Sequence, residues 1–150
     1  ADIIVRVTSD CPINFPIVNE KVIKLLIDND LDYACNNNPP TFPHGLDCEV
    51  FTFNALELCN EKAIENYDRE HVTPWLRDSK DIKKLNLFCA EKDVRQFRLT
   101  LDYEEDLLLL RKIFGKLKDY KNPIDLKFFL NFLKRNKNLF EINQKHTIER

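Results

Sequence analysis

Glycine is nearly missing from this chain: Gly45 and Gly115 are the two in 150 residues. Phosphate cradles of the G-x-x-x-x-G-K-[ST] or G-x-G-x-x-G kind need several glycines, and neither pattern occurs, so no glycine-rich nucleotide loop can be built from these residues. Methionine is absent altogether. The five cysteines, at 11, 35, 48, 59 and 89, are odd in number and form no C-x-x-C pair. That spacing gives neither a disulfide framework nor a zinc knuckle, and reduced thiols acting as small core residues are expected. No apolar run approaches the length of a membrane span, and no charged-then-apolar leader opens the sequence. No membrane contact and a cytoplasmic location are therefore expected. The formal net charge of −2, with both signs interspersed, leaves no electrostatic footprint for nucleic acid. His44 and His71 stand near no Ser or Cys with the context of a nucleophile, so acyl transfer finds no support.

What is present is a globular composition, 43% hydrophobic and 32% charged, at a length suited to one core. Ile3-Ile4-Val5-Arg6-Val7 reads as a buried strand, because branched side chains suit an extended backbone covered on both faces. It breaks at Thr8-Ser9-Asp10-Cys11-Pro12, and Asp10 falls where open α/β sheets gather ligands, just past a strand's carboxyl end. A helix over about 15–29 follows, with Val18, Val22, Leu25 and Leu26 on one face, and then a short strand at 32–35. Together they predict a right-handed βαβ unit. Residues 36–45 hold three prolines and Gly45, which is expected to take a positive φ. Further strands are expected at 46–53, 85–90 and 97–101. Helices are expected at 54–65, at 68–76 against Pro74, at 103–117 behind an Asp102-x-x-Glu105 capping box, and at 125–135. Phe128, Phe129 and Phe132 on the last helix would mark an interface if left uncovered. The tail from 136 onward gives no clear signal.

Two acids stand at strand ends, Asp10 and Asp102, and could converge on a hard divalent cation, since magnesium accepts one or two carboxylates plus phosphate oxygens and water. Turn closure by Asp10 and helix capping by Asp102 are the structural alternatives. Asp47-x-Glu49 shares a strand face and superficially matches the metal pair of a glycosyltransferase. A solvated strand face is the plainer reading.

Four segments taken in order carry a family resemblance. They are Arg6-Val7-Thr8-Ser9-Asp10-Cys11-Pro12, the stretch Thr41-Phe42-Pro43-His44-Gly45-Leu46-Asp47-Cys48-Glu49-Val50-Phe51, then Arg69-Glu70-His71-Val72-Thr73-Pro74, and Arg98-Leu99-Thr100-Leu101-Asp102-Tyr103-Glu104-Glu105-Asp106-Leu107. This set resembles the carboxy-terminal portion of cytidylyltransferases of the spore-coat polysaccharide type, relatives of the CMP-sialic acid and CMP-KDO synthetases. The resemblance implies an α/β fold with three layers and a mostly parallel sheet flanked by helices, of the glycosyltransferase-A-like nucleotidyltransferase kind. Residues 1–118 would form that portion, and 119–150 a linker and helical extension packed on the same domain. It also implies transfer of a cytidylyl group from CTP to a sugar or sugar acid with pyrophosphate release, assisted by Mg2+, in a homodimer.

By the same resemblance, Asp10 and Asp102 are catalytic and metal-binding, and Arg6, Thr41, Pro43, His44, Gly45, Glu49, Glu70, His71 and Arg98 bind substrate. Tyr103 and Glu104 depart from the family's usual V-D-T-P-E-D, and Ser9 stands where glycine is common. The family's amino-terminal strand and basic, Gly-containing CTP loop have no counterpart here. The isolated chain is thus expected to be incomplete and inactive, and a non-catalytic fragment for sugar binding or subunit association is the alternative.

Overall fold

The computed structural model describes residues 1–121 and 123–147. Its contacts divide the chain into two compact units. The first is 1–7, 18–39 and 48–87, and the second is 8–17, 40–47 and 88–150.

The first unit is built on four strands, β1 (Ile3–Arg6), β2 (Tyr33–Cys35), β3 (Glu49–Thr52) and β4 (Lys84–Asn86), in the order β1-β3-β2-β4. The α/β class holds, with helices on a sheet, but the pairing departs from the mostly parallel sheet expected. β3 runs antiparallel to both β1 and β2, and parallel pairing is confined to β2 with β4. β1 and β2 consequently point the same way with β3 inserted between them, so the βαβ unit is split. Helix α1 (Pro16–Asp28) starts on its proline, where a missing N–H costs nothing, and buries Val18, Val22 and Leu26 at four-residue steps. Alternation sorts the strand side chains. Ala34, Cys48 and Val50 join Val22 and Leu26 on one face, while Tyr33, Cys35 and Phe51 join Ala55, Cys59 and Leu76 on the other. Both faces are covered, and four of the five reduced cysteines are buried as small core residues.

The turn into α2 (Phe53–Lys62) is capped by Thr52, whose Oγ1 accepts from the Ala55 amide at 3.1 Å, two residues earlier than the Asn54 cap expected from the sequence. The expected 68–76 helix is two pieces, α3 (Asn66–His71) and α4 (Pro74–Asp78). Between them Val72 sits at φ 70°, and Thr73 N donates to His71 O at 2.8 Å, a tight γ-turn that a β-branched residue adopts only under constraint. Pro74 therefore begins α4 instead of straining a longer helix. Lys84 reaches back from β4 and donates to the carbonyls of Arg77 and Ser79 at the end of α4.

In the second unit, α5 (Glu104–Leu117) and α6 (Leu126–Arg135) share one core. Leu109, Leu110 and Ile113 pack with Phe129, Leu130, Leu133, Val94, Phe97 and Leu99. Asp125 caps α6, accepting from Phe128 N at 2.7 Å. Phe129 is buried, and Phe128 and Phe132 lie partly buried against the same core, so the apolar stripe of α6 is covered within its own unit. Residues 97–101 form no strand. Their ladder is a single parallel bridge between His44 and Arg98, with Phe97, Arg98, Leu99 and Thr100 all buried. The tail closes with two 3-10 turns, Lys137–Ile142 and Gln144–His146.

The sheet register places Arg6 opposite Glu49, and Arg6 Nη1 meets Glu49 Oε2 at 2.5 Å. The Tyr33 hydroxyl donates to Glu49 Oε1 at 2.5 Å and Thr73 Oγ1 donates to Oε2 at 3.1 Å. Replacing Thr73 by Val keeps the shape and removes a donor to a buried carboxylate. Chemical denaturation should show a loss of about 1.5–3 kcal/mol.

Candidate active site

Two of the sequence-predicted clusters fall in different units. Arg6, Glu49, Glu70 and His71 belong to the first, and Asp10, Thr41, Pro43, His44, Gly45, Arg98 and Asp102 to the second. In the first unit the Glu49 carboxylate is buried and taken up by Arg6, Tyr33 and Thr73. Burial and the neighbouring Glu49 charge push the Tyr33 hydroxyl far above its ordinary range, so it stays a donor. Glu70 and His71 are exposed on α3, with the His71 ring against Tyr67 at 4.5 Å between centroids.

The second unit gathers the acids. Leu101 N donates to Asp10 O at 2.8 Å, which sets Asp10 beside the residue preceding Asp102. His44 N donates to Phe97 O at 2.9 Å and His44 O accepts from Leu99 N at 2.7 Å, so the 41–47 loop is laced to the same 97–101 segment. Gly45 makes this approach possible. Its φ is +106°, and a Cβ there would lie 2.7 Å from Leu99 C and 2.8 Å from Thr100 N. The positive φ expected from the sequence is thus present, with a backbone contact as its cause. His44 Nε2 stands 3.9 Å from Asp47 Oδ2, Thr41 Oγ1 accepts from Cys89 N at 2.9 Å, and Pro43 O accepts from Leu46 N at 3.2 Å.

Cys11 reports on the charge around it. Burial pushes its thiol up to about 11 against the Thr8 hydrogen bond, and the Asp47 and Asp10 carboxylates add to the rise. At neutral pH the thiol is protonated and no nucleophile. The rise places Asp47 beside Cys11, a proximity that alternation along 46–53 could not reveal.

Arg98 was expected to bind substrate, yet its side chain is only 5% exposed and is engaged by protein carboxylates. Its Nε donates to Asp106 Oδ1 at 3.1 Å, and its Nη2 to Asp106 Oδ2 at 2.9 Å and to Asp102 Oδ2 at 2.5 Å. Asp106 is fully buried, whereas the Asp102 side chain is 43% exposed. Asp106 Oδ2 also accepts from the amides of Asp102 and Tyr103 at 3.1 Å each, which makes Asp106 and not Glu105 the acid that caps α5. Burial works to raise the Asp106 carboxyl, but hydrogen bonds from Arg98, Asn143 and the Asp102 amide prevail and hold it at about 2. Asp106 and Asn143 escaped the sequence reading. The four-residue spacing of 98, 102 and 106 was a usable signal for Asp106, while Asn143 lies in a tail without periodicity.

Among the described residues no three His, Cys, Asp or Glu side chains gather into an all-protein metal cage. Magnesium needs none, because it is usually held by one or two carboxylates with substrate phosphates and water. Asp10, partly buried, and Asp102, with one oxygen on Arg98 and much of its side chain open, have the donor chemistry for that arrangement.

No family model matches the chain. An uncharacterized protein of Methanocaldococcus jannaschii is 33% identical over 144 residues, which is 95% of this chain and 57% of that protein. Spore coat polysaccharide biosynthesis protein SpsF of Bacillus subtilis is 29% identical over 117 residues, 76% of this chain and 48% of that one. Among solved structures, a cytidylyltransferase from Leptospira borgpetersenii serovar Hardjo-bovis superposes with a TM-score of 0.83 at 27% identity, over 99% of this chain and 61% of that chain. The chain spans about half the length of the curated relatives it matches.

Two outcomes follow from the geometry. Gly45→Ala forces a side chain into the Leu99–Thr100 backbone, and thermal denaturation should show a loss of about 2–3 kcal/mol. The Asp106 carboxyl is depressed in the folded state, so its contribution is complete above its ordinary value of 3.8 and disappears as pH falls towards about 2. Urea titrations across that window should show a loss of about 2 kcal/mol that Asp106→Asn lacks.

Proposed function

We propose that this chain, which has the fold and sequence kinship of cytidylyltransferases of the spore-coat polysaccharide type, provides the acidic centre for cytidylyl transfer from CTP to a sugar or sugar acid, releasing pyrophosphate. The observation that carries the proposal is the pairing of Asp10 with the 97–102 segment, where Leu101 N meets Asp10 O beside the half-open Asp102 carboxylate. These are the two acids on which the family resemblance places catalysis.

In this reading a sugar oxygen attacks the α-phosphorus of CTP, and the protein's work is to position the reactants and offset charge. Asp10 and Asp102 would hold Mg2+, which when bound supplies Lewis-acid neutralisation of phosphate oxygens. Arg98 fixes one oxygen of Asp102 and leaves the other to a ligand. Thr41, Pro43, His44 and Gly45, pinned to residues 97–99 and 89 by backbone and hydroxyl bonds, would form the wall that faces the sugar. By the family resemblance, the nucleotide grip would come from an amino-terminal strand and basic, Gly-containing loop with no counterpart among these residues. A homodimer working in the cytoplasm completes the proposal. No helix of the described residues is long and apolar enough to cross a membrane.

The test is pyrophosphate release from CTP with a panel of sugars, in the full-length protein with magnesium. Asp10→Asn should lower turnover on the order of 100-fold or more while the circular dichroism spectrum is unchanged. Retained activity would sink the assignment, and turnover with UDP-sugars in place of CTP would favour a glycosyltransferase.

A further inference from the structure

We infer that Asp106 and Asn143 are positioning residues for Asp102, acting through Arg98, and that the closing turn of the tail thereby belongs to the acidic centre. The inference rests on the cytidylyl-transfer reading only for the identity of what Asp102 meets.

The geometry separates this role from helix capping. A cap needs the two amide bonds that Asp106 Oδ2 accepts from Asp102 and Tyr103. Asp106 goes further. Its two oxygens grip Arg98 at Nε and Nη2 as a fork, and Oδ1 also accepts from Asn143 Nδ2 at 2.7 Å. Asn143 Nδ2 in turn donates to Arg98 O at 3.3 Å, so one amide braces both partners of the fork. With that plane fixed, Nη2 can meet Asp102 Oδ2 from one direction only.

Stability accounts for only part of the cluster. A buried ion pair is weak evidence for stability, since desolvation offsets its attraction. Asn143 is 1% exposed and its Oδ1 has no hydrogen-bond partner, a cost that an apolar side chain of similar volume would avoid. Flipping the amide would turn that oxygen onto the Asp106 carboxylate. The position keeps an amide whose Nδ2 serves both Asp106 Oδ1 and Arg98 O while its Oδ1 goes unpaired, and the group those two bonds orient through Arg98 is the one carboxylate of the cluster reaching solvent. Charge agrees: Arg98 offsets fully buried Asp106, and Asp102 remains as a net negative charge for a cation. The tail also covers the arrangement from the side. Tyr103 lies 5.5 Å from the Arg98 guanidinium and is stacked on His146 at 3.7 Å, while His146 and Lys145 both reach Glu105.

The experiment uses the intact protein with Asp106→Asn and Asn143→Leu, reading Mn2+ affinity by electron paramagnetic resonance with CTP present, and the Mg2+ concentration for half-maximal pyrophosphate release. Both should weaken about 10- to 100-fold while the KM for CTP at saturating metal holds, as when support is withdrawn from a metal-holding carboxylate. Folded variants with a lower Tm and unchanged metal affinity would overturn the inference, leaving a structural role. Should either variant fail to fold, Arg98→Lys keeps the charge, loses the fork and carries the same readout. Metal affinity that falls in the variants of a protein that turns over no CTP would support the positioning role and sink the cytidylyl reading. CTP turnover in a wild-type protein that binds no manganese would do the reverse.

Discussion

The guanidinium of Arg98 lies between a carboxylate that water never reaches and one that is half open to it, and the order of the second unit follows from that placement. Asp106 anchors the fork with both oxygens and begins α5 with Oδ2, so one carboxylate sets the start of the helix and the direction of Arg98. Leu99 and Phe97, on either side of Arg98, enter the apolar core with α5 and α6. Between them the backbone takes its one bridge to His44, possible because Gly45 has no side chain to collide with Leu99 and Thr100. An acid at the surface is thereby tied to a core beneath it through few soft degrees of freedom, which is what a preorganised charge requires.

The first unit solves a related problem with different residues. Sheet register sets Arg6 against Glu49, and the strained turn at Val72 delivers the Thr73 hydroxyl to the same carboxylate. Here the acid is the buried partner and the arginine the more open one, at 29% side-chain exposure against 4%. Both clusters fix a charged side chain through a buried carboxylate with several donors, the arrangement that makes a charge costly to displace.

Legibility in the sequence followed the range of the interactions. β1, α1 and α6 could be read because their patterns are local: branched residues in a row, Val18, Val22 and Leu26 four apart, and an amphipathic run from Asp125. β1 is nevertheless an edge strand, with Val5 and the following Val7 exposed, not the strand buried on both faces that its branched residues suggest. The positive φ of Gly45 was legible for a similar reason. The antiparallel run of β3 between β1 and β2 was not, because pairing partners distant in sequence leave no mark on either strand. Residues 97–101 have strand composition, but the buried arginine in that stretch answers to α5 and to the tail instead of to a ladder. The Asp102-x-x-Glu105 spacing points to a capping box one residue early: the box closes on Asp106, whose Oδ2 accepts from the Asp102 and Tyr103 amides. Glu49 and Arg98 were read as reaching for substrate, since polar residues in a family motif say nothing of the neighbours that already hold them.

The acids, the laced loop and the kinship with cytidylyltransferases meet in the claim that Asp10 and Asp102 share a divalent cation with the nucleotide phosphates. Anomalous diffraction from crystals of the full-length protein grown with CTP and Mn2+ addresses that claim most directly. The account predicts a manganese peak within coordination distance of a carboxylate oxygen from each of the two acids, with Arg98 still on Asp102 Oδ2. A nucleotide-bound manganese that touches neither acid would contradict it.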